Sequence, residues 1–117
     1  MAIIGMHALI YSRKDEATRR FFRDVLGFPA VDAGGGWLIF EMPATELAIH
    51  PAEANEYHEL YLMCDDIDAT RAELDRKGVA TPPVQEQPWG RVTQIKLPSG
   101  LELGIYEPKH PMVIKPQ

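Results

Sequence analysis

Apolar and polar residues at the start of the chain predict a strand followed by an amphipathic helix. Residues 2–11 are mostly apolar and include β-branched side chains, which is typical of a largely buried strand. Residues 12–15 (SRKD) have the pattern of a helix N-cap with an acidic side chain in the first turn. Apolar residues then recur at helical spacing over 17–26, and Gly27 stands where a left-handed C-cap is expected.

Two further strands are predicted before the middle of the chain. Three consecutive glycines at 34–36 indicate a turn. Residues 37–41 and 46–50 have strand composition, and the stretch between them (MPAT) is typical of a hairpin-like connection. The polar stretch that begins at Pro51 is expected to cross from one half of the chain to the other.

The same order of patterns begins again in the second half. Residues 59–64 predict a strand, either Asp65 or Asp66 is expected to cap the helix that follows, and Gly78 is expected to end it. Three more strands are predicted after that helix, with turns at the Trp-Gly and Pro-Ser-Gly sequences between them. These strands cover residues 79–84, 91–97 and 101–106.

The two halves align as a repeat. Residues 7–12 match residues 59–64 at an offset of 52, and residues 46–50 (ELAIH) match residues 102–106 (ELGIY) at an offset of 56. Two βαβββ units in the same order favour a duplicated architecture. We therefore expect one domain over 1–117: module one at about 1–51, module two at about 57–108, and an extended, solvent-exposed tail at 109–117.

Composition and charge narrow the classes of partner. The chain has 117 residues, of which 45% are hydrophobic and 25% charged, enough for one core without metal or disulfide staples. A formal net charge of −5 makes nucleic acid or an anionic membrane an unexpected partner. The single cysteine, Cys64, excludes an intramolecular disulfide, and the apolar start lacks a basic n-region, so a cytoplasmic protein is expected.

Four short stretches carry a resemblance to a known family: FFRDVLGF at 21–28, CDDIDA at 64–69, WGR at 89–91 and LPSG at 97–100. They resemble the vicinal oxygen chelate superfamily, which contains glyoxalases, bleomycin-resistance proteins and extradiol dioxygenases. The resemblance runs from about residue 7 to residue 108. It implies an α+β fold in which two βαβββ modules form a curved, eight-stranded, half-open barrel around a cavity, and it implies a homodimer.

The resemblance also implies a divalent metal (Mn, Fe, Ni or Zn), bound by the first and last strands of each module. His7 and Glu59 match the two first-strand ligand positions. The two last-strand positions match Ala48 and Gly104, which have no donor atom. Two of the four implied ligands are therefore missing, and a protein without any metal is an equal alternative.

A third metal ligand can still be named from the sequence. His50 lies on the same predicted strand face as Ala48, so His7, His50 and Glu59 could form a set of two histidines and one carboxylate. A register slip of one residue would bring in His58 instead of Glu59.

Strand alternation also predicts which side chains face the cavity. The predicted ligand-binding residues are Tyr11, Tyr61, Met63, Trp89 and Tyr106. The alternative for these residues is ordinary core packing. For an enzyme, Glu59 and Glu102 are the candidates for proton transfer, and the alternative is that they are surface carboxylates.

Three functions follow. The favoured one is a protein that binds a small molecule in its barrel cavity with a reduced or absent metal site, as bleomycin-resistance proteins sequester their ligand. The second is a metal-dependent lyase, isomerase or dioxygenase, which requires His7, His50 and Glu59 to converge on one point. The third is an interaction module without a small ligand, which would have side chains filling the cavity.

Overall fold

The computed structural model describes residues 7–52, 54, 56–112 and 114, and over these it is an α+β protein with two helices and six strands. The elements are α1 (Asp15–Asp24), β1 (Ala30–Asp32), β2 (Leu38–Phe40), β3 (Tyr61–Met63), α2 (Ile67–Arg76), β4 (Gln85–Gln87), β5 (Gly90–Lys96) and β6 (Glu102–Pro108). Neither of these helices has the length and apolar character that a membrane crossing would need.

The second module forms a complete four-stranded sheet in the order β3-β6-β5-β4. β3 runs parallel to β6, whereas β6, β5 and β4 are joined as antiparallel neighbours. The predicted order of strand, helix and three strands is confirmed for this half. β3 is an edge strand whose partner is the last strand of the chain.

The core lies between α2 and one face of this sheet. Ile67 and Leu74 of α2 are 0% and 5% exposed, and they pack with buried residues at alternate positions of β5 and β6. Phe22 of α1 belongs to the same cluster. The end of α2 is also tied to the end of α1, because Lys77 Nζ donates a hydrogen bond of 2.8 Å to the carbonyl oxygen of Val25.

The two helices begin differently. Asp66 is the N-cap of α2 and accepts a hydrogen bond from the Ala69 backbone N–H, as one of the two predicted alternatives. At the start of α1 the predicted side-chain cap is wrong, since the N-cap is Lys14 and its side chain makes no capping bond. Ser12 instead accepts the Lys14 N–H and shares a hydrogen bond with Thr18.

The first module departs most from the prediction. Its described residues form one sheet of two short antiparallel strands, β1 and β2. Of the strand predicted at 2–11, residues 2–6 lie outside the described residues and 7–11 form no strand; residues 46–50 form none either. A strand exists only with a neighbour to receive its backbone hydrogen bonds, and neither segment has one among the residues that the structure describes. The eight-stranded barrel is therefore not formed by the described part of a single chain.

Two smaller differences between the predicted and observed strands have local causes. The strand predicted at 79–84 begins instead at Gln85, because the prolines at 82 and 83 have no N–H to donate to β5. The unexpected strand β1 pairs with β2 through the glycine turn, where the Asp32 carboxylate accepts the N–H groups of Gly34 and Gly36.

Candidate functional site

The face of the four-stranded sheet that points away from α2 is called here the inner face. On β6, Leu103 and Ile105 are each 5% exposed and belong to the core under α2, so the residues between them point the other way. The strand register extends this face across β3 and β5. It is formed by Tyr61, Met63, Val92, Gln94, Gly104 and Tyr106.

Four rings form an aromatic cluster at one end of the inner face: Tyr61, Trp89, Tyr106 and His110. The centroid of the Tyr106 ring lies 5.7 Å from that of Tyr61 and 5.2 Å from that of Trp89, and both pairs meet edge to face. Tyr61 and Trp89 complete the triangle at 5.9 Å. Because Tyr61 and Trp89 still expose 44% and 38% of their surface, the cluster can contact a further molecule.

Two glycines lie directly under rings of this cluster. At Gly104 an added Cβ would overlap the Tyr61 ring. At Gly90 an added Cβ would lie 2.8 Å from the Tyr106 ring and 2.7 Å from the Glu107 carbonyl oxygen, closer than real Cβ contacts come. Each ring therefore rests on backbone that has no side chain beneath it.

The segment after β6 approaches the cluster rather than extending into solvent. The Tyr106 hydroxyl lies 2.9 Å from His110 Nε2, while His110 Nδ1 lies 2.8 Å from the Pro111 carbonyl oxygen. Since a carbonyl only accepts, a neutral His110 carries its proton on Nδ1, and its Nε2 accepts from Tyr106. The expectation of a solvent-exposed His110 is wrong, and only its spacing from Tyr106 could have suggested the contact.

Burial and nearby carboxylates set the electrostatics of the cluster. Burial raises the pKa of Tyr61 above its ordinary value of 10, and the Glu59 carboxylate, an acceptor for its hydroxyl, raises it further. Burial likewise raises the pKa of Tyr106, with a smaller contribution from the charge of Glu46. Glu46 also accepts a hydrogen bond of 3.1 Å from the Ile114 N–H, which ties the tail to the first half of the chain.

Two shallow depressions lie near the sheet. One, of about 350 Å³, adjoins the inner face because three of its lining residues, Gln94, Lys96 and Glu102, alternate with buried residues of β5 and β6. The other, of about 370 Å³, lies on the outer side of α2, away from the aromatic cluster, and includes Asp68 and Arg71. The first depression therefore continues the inner face, whereas the second does not.

The predicted site residues are only partly brought together. Tyr61, Trp89 and Tyr106 meet in the aromatic cluster, and Met63 lies beside Tyr106 in the strand register. Tyr11 is 88% exposed and belongs to no strand. The roles of all five in ligand binding stay predictions.

The predicted catalytic and metal-binding residues are all exposed. Glu59 and Glu102 each precede a paired residue of β3 and β6 by two positions, so they lie at the same end of that parallel pair. His7 and His50 lie in segments without strand structure. The alternative ligand His58 is exposed as well.

The described residues do not fit the metal centre that the fold family implies. Among them, no group of three His, Cys, Asp or Glu side chains is placed to hold a metal ion. At position 104, where the resemblance implies a ligand, the space above the backbone is taken by the Tyr61 ring. The matching position in the first module is Ala48, which has no donor atom.

Solved structures with the same fold include binding proteins and enzymes. The antibiotic-binding protein TnmS3 from Streptomyces sp. CB03234 has 25% identity and a TM-score of 0.68, over 93% of this chain and 99% of that one. A lactoylglutathione lyase from Agrobacterium tumefaciens has 17% identity and a TM-score of 0.65, over 92% and 95%. A glyoxylase/bleomycin resistance protein/dioxygenase domain from Frankia sp. EAN1pec has 16% identity and a TM-score of 0.61, over 92% and 100%.

No protein-family model matches the chain, and no curated protein matches it in sequence. The structural likeness covers nearly the whole chain. One scaffold hosts many chemistries, so the likeness establishes the fold rather than the substrate. The resemblance to the vicinal oxygen chelate superfamily is thus confirmed in its fold, which is glyoxalase/bleomycin-resistance-like.

Proposed function

We propose that this protein binds a small organic molecule on the inner face of its second module, with a reduced or absent metal site. The observation that supports this most directly is the aromatic cluster. Its rings contact one another edge to face, and two of them, Tyr61 and Trp89, still expose a large part of their surface. Ligand sites are mostly apolar and aromatic, with a few polar groups that fix orientation. Here those groups are Gln94 and the hydroxyl of Tyr106.

The position of Tyr61 supports binding without a metal. Its ring occupies the space above Gly104, so the second module offers a ligand an aromatic surface at the place where the resemblance implies a carboxylate. An antibiotic-binding protein among the structural neighbours is consistent with a binding role for this fold.

We further propose that a second copy of the chain covers the inner face. Residues 7–11 and 46–50 have strand composition but form no strand, and their apolar side chains are exposed: 64% for Leu9, 74% for Leu47 and 89% for Ile49. Among the described residues, 7–11 and 47–50 have exposed apolar side chains and no strand pairing, and they are complementary to a sheet face that is uncovered in the same molecule. Pairing between two copies would cover the segments and the sheet face together.

The test of the binding function compares two tryptophans. Compounds are screened by thermal shift, and the affinity of each hit is measured by calorimetry for the wild type, Trp89→Ala and Trp37→Ala. Trp89 belongs to the aromatic cluster, whereas Trp37 is 63% exposed beside the glycine turn, where it packs under Arg19. We expect Trp89→Ala to weaken binding by about tenfold or more and Trp37→Ala to leave it unchanged, since a lost aromatic contact is worth ~0.5–1.5 kcal/mol besides its area.

The metal state is tested separately on protein purified without a polyhistidine tag and supplied with Mn, Fe, Ni and Zn. We expect ligand binding to be the same with and without metal or chelator. Near-stoichiometric metal that is lost in the His7→Ala variant would contradict the proposal and favour the metal-dependent enzyme instead.

A further inference from the structure

We propose that Gly104 and Gly90 are specificity-determining residues, which hold the rings of Tyr61 and Tyr106 in place to bind a flat, conjugated ligand. This inference rests on the proposed function, because it names the class of molecule that the inner face binds. Neither glycine contacts the ligand; each acts through the ring above it.

The position of Tyr61 depends on the missing side chain at 104. Tyr61 and Gly104 are direct partners in the parallel pair of β3 and β6, so their side chains would leave the sheet on the same face. The Tyr61 ring leans across its partner, and its carbon atoms Cδ1 and Cε1 take the volume that a Cβ would need. Any other residue at 104 would push the ring out of the sheet surface and away from Tyr106.

Gly90 has the same relation to Tyr106. Tyr106 pairs with Val92, two residues along β5 from Gly90, so the Tyr106 ring reaches diagonally over the strand. Gly90 is buried beneath it, and its φ is not positive, whereas six other described glycines have a positive φ. The conformation therefore does not require glycine at 90, and the reason for glycine is the space that the ring occupies.

The two rings and Trp89 together indicate the shape of the ligand. Tyr61, Trp89 and Tyr106 meet edge to face at 5.2 to 5.9 Å, so each ring has a neighbour that fixes its tilt. A cluster held in this way gives a rigid surface, and rigid aromatic surfaces favour ligands with an extended π system over saturated ones.

The charges beside the cluster indicate the preferred sign of the ligand. Glu59 lies two positions before Tyr61, and its carboxylate accepts the Tyr61 hydroxyl, which places a negative charge at the edge of the cluster. An aromatic anion would be repelled by this charge, and an aromatic cation would be attracted by it and by the ring faces. The expected ligand is therefore flat, conjugated, and neutral or cationic.

The test uses Trp89 as reporter in a Trp37→Phe background, where it is the one tryptophan left of two. Three probes are titrated: proflavine, a flat aromatic cation; dicyclohexylamine, a saturated cation; and naphthalene-1-sulfonate, a flat anion. We expect proflavine to bind most tightly of the three. Gly104→Ala should lower the affinity for proflavine by about tenfold, which corresponds to the loss of one ring contact.

A double-mutant cycle separates the effect of the ring from that of the backbone. In a Tyr61→Ala background the space above position 104 is empty, so a further Gly104→Ala substitution should change proflavine affinity by less than about twofold. If Gly104→Ala alone does not fold, Tyr61→Leu tests the same contact without touching the glycine. Equal affinity for proflavine in wild type, Gly104→Ala and Tyr61→Leu would overturn the inference.

The outcomes also distinguish this inference from the proposed function. A protein that binds a compound from the screen but prefers dicyclohexylamine to proflavine keeps the binding function and loses the assignment of ligand class. A protein that binds neither the three probes nor any compound of the screen contradicts the proposed function itself.

Discussion

Tyr106 is the residue on which most contacts of the candidate site converge. Its ring meets Tyr61 on β3, Trp89 in the turn before β5, and His110 in the segment after β6. Its hydroxyl is held by His110 Nε2 at 2.9 Å. One side chain thus connects a parallel strand, a hairpin turn and the tail, and its ionisation would disturb all three.

The raised pKa values of Tyr61 and Tyr106 predict a late alkaline titration and a loss of stability at high pH. The unfolded chain gives up these protons near the ordinary pKa of 10, and the folded protein does so only above it. The contribution of these two hydroxyls to the free energy of unfolding is therefore fully present below pH 10, and it is lost as the pH rises through the pKa values of the folded protein. Tyrosinate absorbance should show a component with a midpoint above 10 that comes from two side chains, so Tyr61→Phe and Tyr106→Phe should each remove about half of its amplitude.

A matched variant gives the control for this titration. Tyr11 is 88% exposed and lies outside the aromatic cluster, so Tyr11→Phe should leave the late component in place. A late component whose amplitude is undiminished in Tyr61→Phe or in Tyr106→Phe would contradict the assignment.

The sequence predicts part of this site and misses the rest for a physical reason. The period of two along a strand is enough to place Tyr61, Met63 and the ring of Tyr106 on one face. The contact between Tyr61 and Gly104 depends on the register between two strands that are far apart in sequence, which no local pattern encodes. For that reason the sequence predicts a missing ligand at 104 but not the ring that fills its space.

At the scale of elements, two carboxylates accept N–H groups at the start of α2, and one of them holds the helix to the sheet. Asp66 accepts the Ala69 N–H, and Glu107 of β6 accepts the Ile67 N–H at 3.0 Å. Both bonds satisfy N–H groups that the first turn of a helix leaves without partners. The second of them joins the helix to the strand that also holds Gly104 and Tyr106, so the helix start fixes the position of β6.

Removing either carboxylate is expected to destabilise the protein. Asp66→Ala should lower the free energy of unfolding by ~0.5–2 kcal/mol, the usual cost of a lost N-cap. Glu107→Ala should cost ~1–3 kcal/mol, because it leaves a part-buried N–H unsatisfied. Urea unfolding followed by circular dichroism measures both.

Lys14→Ala is the matched control for these two variants. Lys14 is the N-cap of α1, but its side chain makes no capping bond, so its loss should change the free energy of unfolding little. If Lys14→Ala lowered the free energy of unfolding as much as Asp66→Ala does, the measured change would have a cause other than capping.

The sequence anticipates the second module better than the first because the two differ in where their partners lie. Each strand of the second module finds its neighbours within the module, so residues with strand composition become strands with shifts of a few positions. The segments 7–11 and 47–50 also have strand composition, but neither has a neighbouring strand in the described part of the chain. Composition predicts a tendency to form a strand, and pairing decides the outcome.

At the scale of the whole molecule, the chain exposes more surface than a compact monomer does. Its accessible surface is 9386 Å², against roughly 6,400 Å² for a compact protein of 13.2 kDa, an excess of about 3,000 Å². The radius of gyration, 15.3 Å, also exceeds the roughly 13 Å of a compact domain of this length. An obligate homodimer typically buries ~2,000–5,000 Å² in total, or about half of that from each chain, so burial in a dimer would account for a large part of this excess.

The proposed dimer predicts that a single charge can separate the two copies. Ile49 is 89% exposed in one chain, so Ile49→Asp should cost the isolated fold little but should place a charge within the interface. Sedimentation should show a dimer for the wild type and a monomer, or a much weaker dimer, for the variant. The melting temperature of the wild type should rise with protein concentration.

Val31→Asp is the control for the dimer, because Val31 is also exposed, at 68%, but lies on β1, outside the two unpaired segments. It should remain dimeric. A wild type that sediments as a monomer at every concentration would refute the proposed second copy.

The pairing of β3 with β6 has a consequence for synthesis on the ribosome. β3 leaves the ribosome well before β6, so its edge stays without a partner until nearly all of the second module has been made. β4, β5 and β6 follow one another as antiparallel neighbours and can assemble as soon as each emerges. Pairing of β3 with β6 must then be among the last steps of folding, and the contact of Tyr61 with Gly104 forms at the same time. Until that step, the growing chain presents an open strand edge to which another nascent chain could add.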